Sequence, residues 1–252
     1  MRAVALTPTH AALAMIAVAA VTAVLLTRVD APYGRHARSG WGPTLSPRLA
    51  WVLMETPAAL GFLAFFLQGP NARHVAPRAL LALWLSHYAH RAFVYPLRLT
   101  GARAMPASVA LMGASFNVGN AWMNARQVST AGDYPDAWLG DPRFVIGALV
   151  FAAGWWMNRH ADATLRALRR PGEGGYRIPH GGMYRWVSSP NYLGEIVMWW
   201  GWALATWSLA GAAFAVFTMA NLAPRAAANH RWYRAQFEEY PAGRRALIPG
   251  VW

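Results

Sequence analysis

The sequence has no cysteine and no lysine. Without cysteine there are no disulfides, no thiol chemistry and no zinc–cysteine site, and the redox compartment is not readable. Without lysine there is no Schiff-base lysine and no Gly-Lys-Ser/Thr phosphate loop. All 23 basic residues are arginine, leaving the bidentate phosphate binder as the only strong cation. Charge itself is scarce: 13% of the 252 residues are charged and 56% are hydrophobic, whereas soluble domains carry about 25% charged residues. This is a membrane composition, in which length counts spans rather than globular domains. There is no internal repeat, no low-complexity tail and no βαβ pattern. Gly172-Glu173-Gly174-Gly175 lacks both a preceding strand and the full G-x-G-x-x-G spacing, so a soluble dinucleotide fold is not the means of binding a nucleotide. The net charge of +13 does not point to nucleic acid, because the arginines sit beside apolar spans rather than in one basic domain. All-arginine, alanine-rich usage suggests a GC-rich bacterial genome and hence an inner membrane.

What is present is a set of seven apolar segments. They run from about His10 to Leu26, Ser46 to Leu67, Val75 to Leu97, Met105 to Met123, Phe144 to Met157, Tyr192 to Trp207 and Ser208 to Leu222. A spanning helix needs roughly 17–25 residues. The expectation is an all-α integral membrane protein of seven transmembrane helices, with a tight turn near Gly211 between the last two. The first segment follows Arg2 as a signal peptide would, but Thr27-Arg28 offers no small-residue cleavage site, so a retained span is favoured. Orientation follows from the arginines. With the N-terminus outside and the C-terminus cytoplasmic, Arg28 to Arg48, Arg98 and Arg103, Arg159 to Arg185 and Arg225 to Arg245 all lie inside. One domain covers residues 1–252, divided into a half at about 10–123 and a half at about 143–252.

Ionisable residues inside spans default to function. Glu55, in Trp51-Val-Leu-Met-Glu55-Thr-Pro57, reads either as a structural carboxylate paired with Arg91 or as a carboxyl kept protonated. A neutral carboxylic acid can donate a hydrogen bond to a substrate oxygen. Tyr88, Arg91 and Tyr95 share a helix face at i, i+3, i+7. His87 and His90 have metal-like spacing but no companion cysteine or carboxylate pair, so a polar stripe facing a cavity is preferred to a metal site. Asn158, Asp162, Arg166 and Arg169 form another stripe. It is either a solvated amphipathic face or a grip in which Asn and Asp hold hydroxyls and arginines hold phosphates.

The stretch from Tyr176 to Glu195 adds to that grip. Gly181-Gly182 permits positive φ or close backbone approach. Ser189 reads as a helix N-cap with Pro190 in the first turn, which places a helix N-terminus where an anion could sit. Asn191 and Glu195 point the same way at i, i+4, and Arg225, Asn229 and Tyr233 repeat the spacing near the C-terminus. Several polar faces converge, and a dinucleotide-sized ligand is the expected occupant.

These residues resemble the steroid 5α-reductase (3-oxo-5α-steroid 4-dehydrogenase) family over almost the whole chain. The resemblance is carried by Tyr33-Gly34-Arg35-His36, Glu55-Thr56-Pro57, His87 to Tyr95, Tyr134-Pro135-Asp136 with Trp138, and Arg169-Arg170-Pro171-Gly172-Glu173. Tyr176-Arg177-Ile178-Pro179, Asn191 to Glu195, Ala203 to Ser208, Phe237 to Pro241 and Ala246 to Pro249 extend it. It implies a seven-helix membrane reductase that binds NADPH from the cytosolic side and reduces the Δ4 double bond of a lipophilic 3-oxo-Δ4-steroid or similar enone. By position, Glu55 and Tyr88 would hold the C3 carbonyl oxygen. Arg103, Asn158, Asp162, Arg169, Tyr176, Arg177, Asn191, Glu195, Arg225, Asn229 and Tyr233 would line the NADPH site, with no metal. Leu99 to Arg103 is one residue longer than the family's Asn-Arg-Gly-Arg pattern and lacks its Asn. The family's histidine run is here Ala228-Asn229-His230, which leaves Asn229 and His230 both open as the cofactor contact. A monomer in the lipid bilayer, without nucleic acid, is expected. The rivals are an S-adenosylmethionine-dependent isoprenylcysteine-type methyltransferase and a non-enzymatic sterol or lipid carrier.

Overall fold

A computed structural model describes residues 6–169 and 175–252. Of Arg169-Arg170-Pro171-Gly172-Glu173, only Arg169 is among the described residues, and Arg2 also lies outside them. The described residues form seven long helical rods. The first is α1 (Pro8–Arg28). The second joins α2 (Pro47–Thr56) to α3 (Phe62–Leu67) through a π turn at Pro57–Gly61. In the third, α4 (Val75–Ala89) continues into a π turn at His90–Val94. In the fourth, α5 (Ala107–Arg126) continues into one at Gln127–Ala131. The last three are α6 (Pro142–Ala167), α7 (Pro190–Thr206) and α8 (Leu209–Gln236). Strand pairing among the described residues consists of β1 (Thr44–Leu45) antiparallel to β2 (Met105–Pro106) and an isolated parallel bridge between Val187 and Arg245.

Each predicted apolar segment falls in one rod. Two stretches, Pro8–Arg28 and Pro47–Leu67, are long and apolar enough to cross a membrane by length and composition. Elsewhere polar residues interrupt the hydropathy without ending the helix. The helix of the apolar segment Phe144 to Met157 continues to Ala167, in keeping with the helical spacing of Asn158, Asp162 and Arg166, and that of Ser208 to Leu222 runs through Pro224 to Gln236, in keeping with Arg225, Asn229 and Tyr233. A switch from apolar to polar residues marks a change of surroundings, whereas the backbone hydrogen-bond ladder needs only residues that tolerate helical φ and ψ. The turn expected near Gly211 lies instead at Trp207, which takes the left-handed conformation with φ 43° and caps α7. Ser208 then caps α8, its hydroxyl accepting from Gly211 N–H at 3.0 Å. Gly211 is needed for space, since a Cβ there would lie 2.6 Å from Thr206 Oγ1.

The tightest helix pair is α6 on α7, and small residues bring them together. A Cβ on Gly154 would sit 2.3 Å from Met198 N, one on Gly194 2.5 Å from Asn158 N, and one on Gly201 2.3 Å from Phe151 N. The backbones therefore meet without intervening side chains, the packing mode available to helices that gain little from hydrophobic burial in lipid. This contact sets Asn158 and Asp162 of α6 against Asn191 and Glu195 of α7.

Aromatic residues fill the interior beside that pair. The ring of Trp84 lies 4.5 Å from Phe62, 5.2 Å from both Trp199 and Trp202, and 5.7 Å from Phe214. Its Nε1 donates to the Ala58 carbonyl in the first π turn at 2.7 Å. The outer surface is apolar as well: Leu13, Leu111 and Leu149 are 55%, 66% and 65% exposed.

Candidate active site

A cavity of about 310 Å³ opens among the second, third and fourth rods, α6, α7, α8 and the loop after α1. Arg91 lines it. Nε of Arg91 lies 3.7 Å from Glu55 Oε1, Nη1 lies 3.3 Å from Asp162 Oδ2, and Nη2 lies 3.8 Å from Glu195 Oε2. The guanidinium is packed between the rings of Trp51 and Tyr95, at 4.5 and 4.9 Å. Two π turns shape this spot: Arg91 lies within one, and Glu55 precedes the other by a single residue. Such turns shift side chains off the regular helical register and recur at functional sites. One cation thus ties α2, α4, α6 and α7 together at the wall of a cavity.

At the apolar end stand Glu55 and Tyr88, both buried and both lining the cavity. Asn117 Nδ2 donates to Glu55 Oε2 at 3.3 Å and to the Met54 carbonyl at 2.7 Å. The Tyr88 ring is held by Trp84 and Trp199 at 4.9 and 5.4 Å. Met54, Phe116, Phe214 and Phe217 complete this end.

The polar end is built on α6, α7 and α8. Asn191 Nδ2 donates to Asp162 Oδ1 at 3.3 Å, and Asn158 Nδ2 donates to the Asn191 carbonyl at 3.0 Å. Arg225 donates to the Tyr192 hydroxyl at 3.1 Å and lies over the rings of Tyr33 and Tyr192. Asn229 Nδ2 donates to Ser189 Oγ at 3.4 Å, and its Oδ1 lies 3.2 Å from His36 Nε2. Ser189 occupies the N-cap position of α7, but its hydroxyl makes no capping bond, contrary to the expected cap; it meets Asn229 instead. Burial pushes the His36 imidazole below its ordinary pKa, against the opposing effects of Asn229 and Asp30. Arg35 is stacked over Tyr233, Trp232 and Tyr176 at 4.4, 5.1 and 5.6 Å, with Nη1 buried and unpartnered. Gly181 and Gly182 take φ of 84° and 47°, as their pairing suggested.

Ten of the thirteen expected site residues line the one cavity: Glu55, Tyr88, Arg103, Asp162, Arg169, Tyr176, Asn191, Glu195, Arg225 and Asn229. Three stand elsewhere. Asn158 is buried behind Asn191 and braces its carbonyl. Tyr233 is buried between Arg35 and Tyr240. Arg177 is exposed and away from the wall. Between Asn229 and His230, Asn229 faces the cavity, whereas His230 Nδ1 is bound to Ser188 Oγ at 2.6 Å. Arg91, expected as a partner for Glu55 and as part of a polar stripe with Tyr88 and Tyr95, also meets Asp162 and Glu195, which no local spacing relates to it. An arginine on the same face as two tyrosines inside an apolar segment was the available signal. Tyr33, Arg35 and His36 were noticed as a motif but given no role, because nothing local says that a loop folds over a distant cavity.

The donor set fits a phosphorylated nucleotide cofactor. Arg35, Arg103, Arg169 and Arg225 all face the cavity, and Arg35 Nη1 is a buried donor with no acceptor among the described residues. Comparison with known proteins agrees on the kind of protein this is. The profile of the family described as 3-oxo-5-alpha-steroid 4-dehydrogenase matches residues 103–252. A steroid 5-alpha-reductase of Arabidopsis thaliana is 46% identical over 239 residues, covering 92% of this chain and 91% of the relative. The 3-oxo-5-alpha-steroid 4-dehydrogenase 1 of Bos taurus is 44% identical over 237 residues, covering 92% of each. The Homo sapiens protein of that name is 41% identical over 224 residues, covering 88% of this chain and 86% of its own. With these similarities spanning the apolar and polar ends of the cavity alike, the chain belongs to the steroid 5α-reductase (3-oxo-5-alpha-steroid 4-dehydrogenase) family of oxidoreductases.

Proposed function

We propose that this protein is a membrane-embedded, NADPH-dependent reductase of the Δ4 double bond of 3-oxo-Δ4-steroids. The observation that carries the reading is the Arg91 hub. It joins Glu55, at the end of the cavity suited to an apolar ring system, to Asp162 and Glu195, at the end suited to a nucleotide. A hydride donor and an enone must meet within van der Waals reach, and this is where the two ends meet.

The substrate carbonyl oxygen accepts hydrogen bonds from neutral Glu55 and from Tyr88. Three carboxylates around one guanidinium leave more negative than positive charge, so a protonated Glu55 fits the local charge balance. These donors act where negative charge develops on the oxygen during reduction, and so lower the barrier more than they tighten ground-state binding. Asp162 and Asn191 are placed for ribose hydroxyls, and Arg103, Arg169 and Arg225 for phosphates. The abundance of arginine favours the cofactor bearing a 2′-phosphate. When bound, NADPH supplies the hydride that adds to C5; C4 is then protonated.

The seven rods are read as seven spans with the N-terminus outside and the C-terminus cytoplasmic, in a bacterial inner membrane, and the substrate enters sideways from the bilayer. The apolar outer surface supports this, since exposed leucine in such amounts belongs against lipid. Residues 10–123 supply most of the substrate half and 143–252 most of the cofactor half of one domain, which acts as a monomer.

The test is NADPH oxidation by detergent-solubilised protein with a panel of 3-oxo-Δ4-steroids, with the configuration at C5 of the product determined. A 5α-reduced product is expected. No enone-dependent NADPH oxidation across the panel, or saturable binding of S-adenosylmethionine in place of NADPH, would overturn the reading.

A further inference from the structure

Three buried asparagines on α5, Asn117, Asn120 and Asn124, share one helix face at i, i+3, i+7. Asn117 serves Glu55. The other two form a chain whose direction can be worked out from its far end. An indole N–H can only donate. Trp202 Nε1 lies 2.9 Å from Asn124 Oδ1, so that oxygen is the acceptor. The amide nitrogen of Asn124 therefore points the other way, donating at 2.9 Å to Asn120 Oδ1 and at 3.2 Å to the Asn120 carbonyl. With its oxygen occupied, Asn120 turns its Nδ2 outward. That nitrogen is buried and makes no hydrogen bond of regular geometry among the described residues, and the Tyr88 hydroxyl is the acceptor within its reach.

A side-chain amide nitrogen donates and does not accept. Tyr88 can meet it only with an oxygen lone pair, which sends the hydroxyl hydrogen elsewhere. The ring itself is buried and packed against Trp84 and Trp199, which themselves lie 5.2 Å apart. Rotation about the Cζ–Oη bond is what remains, and the open direction is the cavity that Tyr88 shares with Glu55.

We infer that the Trp202–Asn124–Asn120 chain sets the direction of the Tyr88 hydroxyl, holding it as a donor to the substrate carbonyl, with Asn120 the positioning residue. This rests on the role proposed above for Tyr88. A hydroxyl free to rotate would spend part of its time pointing its hydrogen at a protein acceptor. The chain removes that alternative before substrate arrives, which is how preorganised donors gain their effect.

The experiment is a double-mutant cycle with NADPH and one 3-oxo-Δ4-steroid, using Asn120→Asp, Tyr88→Phe and the pair. Aspartate has nearly the same shape but only accepts, so it draws the Tyr88 hydrogen away from the cavity. N120D is expected to lower kcat by about 10²-fold, the scale of losing one oxyanion donor, with KM for NADPH unchanged. In the Y88F background it is expected to add nothing, because no hydroxyl is left to misdirect. Trp202→Phe is the milder companion: it removes the terminal N–H, lets both amides reorient and is expected to lower kcat about 5-fold, the worth of one net hydrogen bond, again only where Tyr88 is present. If N120D and W202F slow the Y88F enzyme by the same factors as wild type, their effects are structural and the inference is overturned. Wild-type kcat in N120D overturns it equally. If Y88F is itself as fast as wild type, the polarising role of Tyr88 fails and takes this inference with it.

Discussion

The contact between α6 and α7 gives the sharpest test of the architecture. In Gly201→Ala the new methyl would lie 2.3 Å from Phe151 N, and 2.7 Å from both Gly147 O and Phe151 Cα. Ordinary contact begins at 3.4 Å, so the helices must part locally by about 1 Å. The obstructing atoms are backbone, so no side chain can rotate aside. Overpacking of this kind costs about 1–3 kcal/mol. Gly119→Ala in α5 is the matched control: the same methyl on a helix, with nothing within 4 Å of it. There the loss of glycine's backbone freedom is expected to stabilise by about 0.5–1 kcal/mol. The two variants should therefore differ by about 1.5–4 kcal/mol. At about 2–4 °C per kcal/mol for a chain of this size, that is a gap of roughly 3–16 °C in midpoint temperature. The gap is read as the monodisperse fraction surviving a heat series in detergent. G201A should also bind NADPH more weakly, since the joint it opens holds Asn158 and Asp162 against Asn191. If G201A melts at or above G119A, close glycine packing does not hold these helices together.

Three further outcomes follow from the cavity. Glu55→Gln and Tyr88→Phe should each lower kcat by about 10²–10³-fold while leaving NADPH affinity in place; full activity with normal expression in E55Q would remove Glu55 from the polarising role. Arg91→Met should destabilise by about 3–5 kcal/mol, because it leaves the buried carboxylates of Asp162 and Glu195 without their shared cation. Thermal unfolding reads this directly, and a melting temperature equal to wild type would mean that the hub is not an energetic joint. The third outcome concerns pH. His36 is held in the neutral form by burial, below its ordinary pKa. Its contribution to stability is complete above about pH 6.5, the unfolded value, and is lost as pH falls through the folded value. Wild type should thus lose more melting temperature between about pH 7.5 and about pH 5 than His36→Gln, and parallel losses would contradict the assignment.

How much of this was legible in the sequence depended on how far apart the interacting residues lie. Glu55 and Tyr88 could be singled out locally, because each breaks the pattern of an apolar segment and a polar group in such a place must find a partner, and Asn191 because it stands at i, i+4 from Glu195. The apolar runs end before the helices do: α6 leaves its apolar run at Met157 and continues through the polar stripe of Asn158 and Asp162. Arg91 was visible as an arginine but not as a hub: its three partners come from residues 55, 162 and 195, and no spacing rule relates them. What relates them is the close approach at Gly154, Gly194 and Gly201, which moves Asp162 and Glu195 onto the same side of the cavity. Glycine carries no periodic signal of burial, so the element that assembles the polar end was the hardest to read. The same holds for Asn120 and Asn124. As polar residues in a small-residue segment they gave no chemistry of their own, and their direction is set by an indole on another helix. The residues expected to touch ligand were thus chosen from local pattern, and most of them line one cavity. Those that orient them were not, because orientation is decided by contacts between helices. Variants at Asn120, Arg91 and Gly201 therefore test the three-dimensional arrangement itself, whereas variants at Glu55 and Tyr88 test the chemistry.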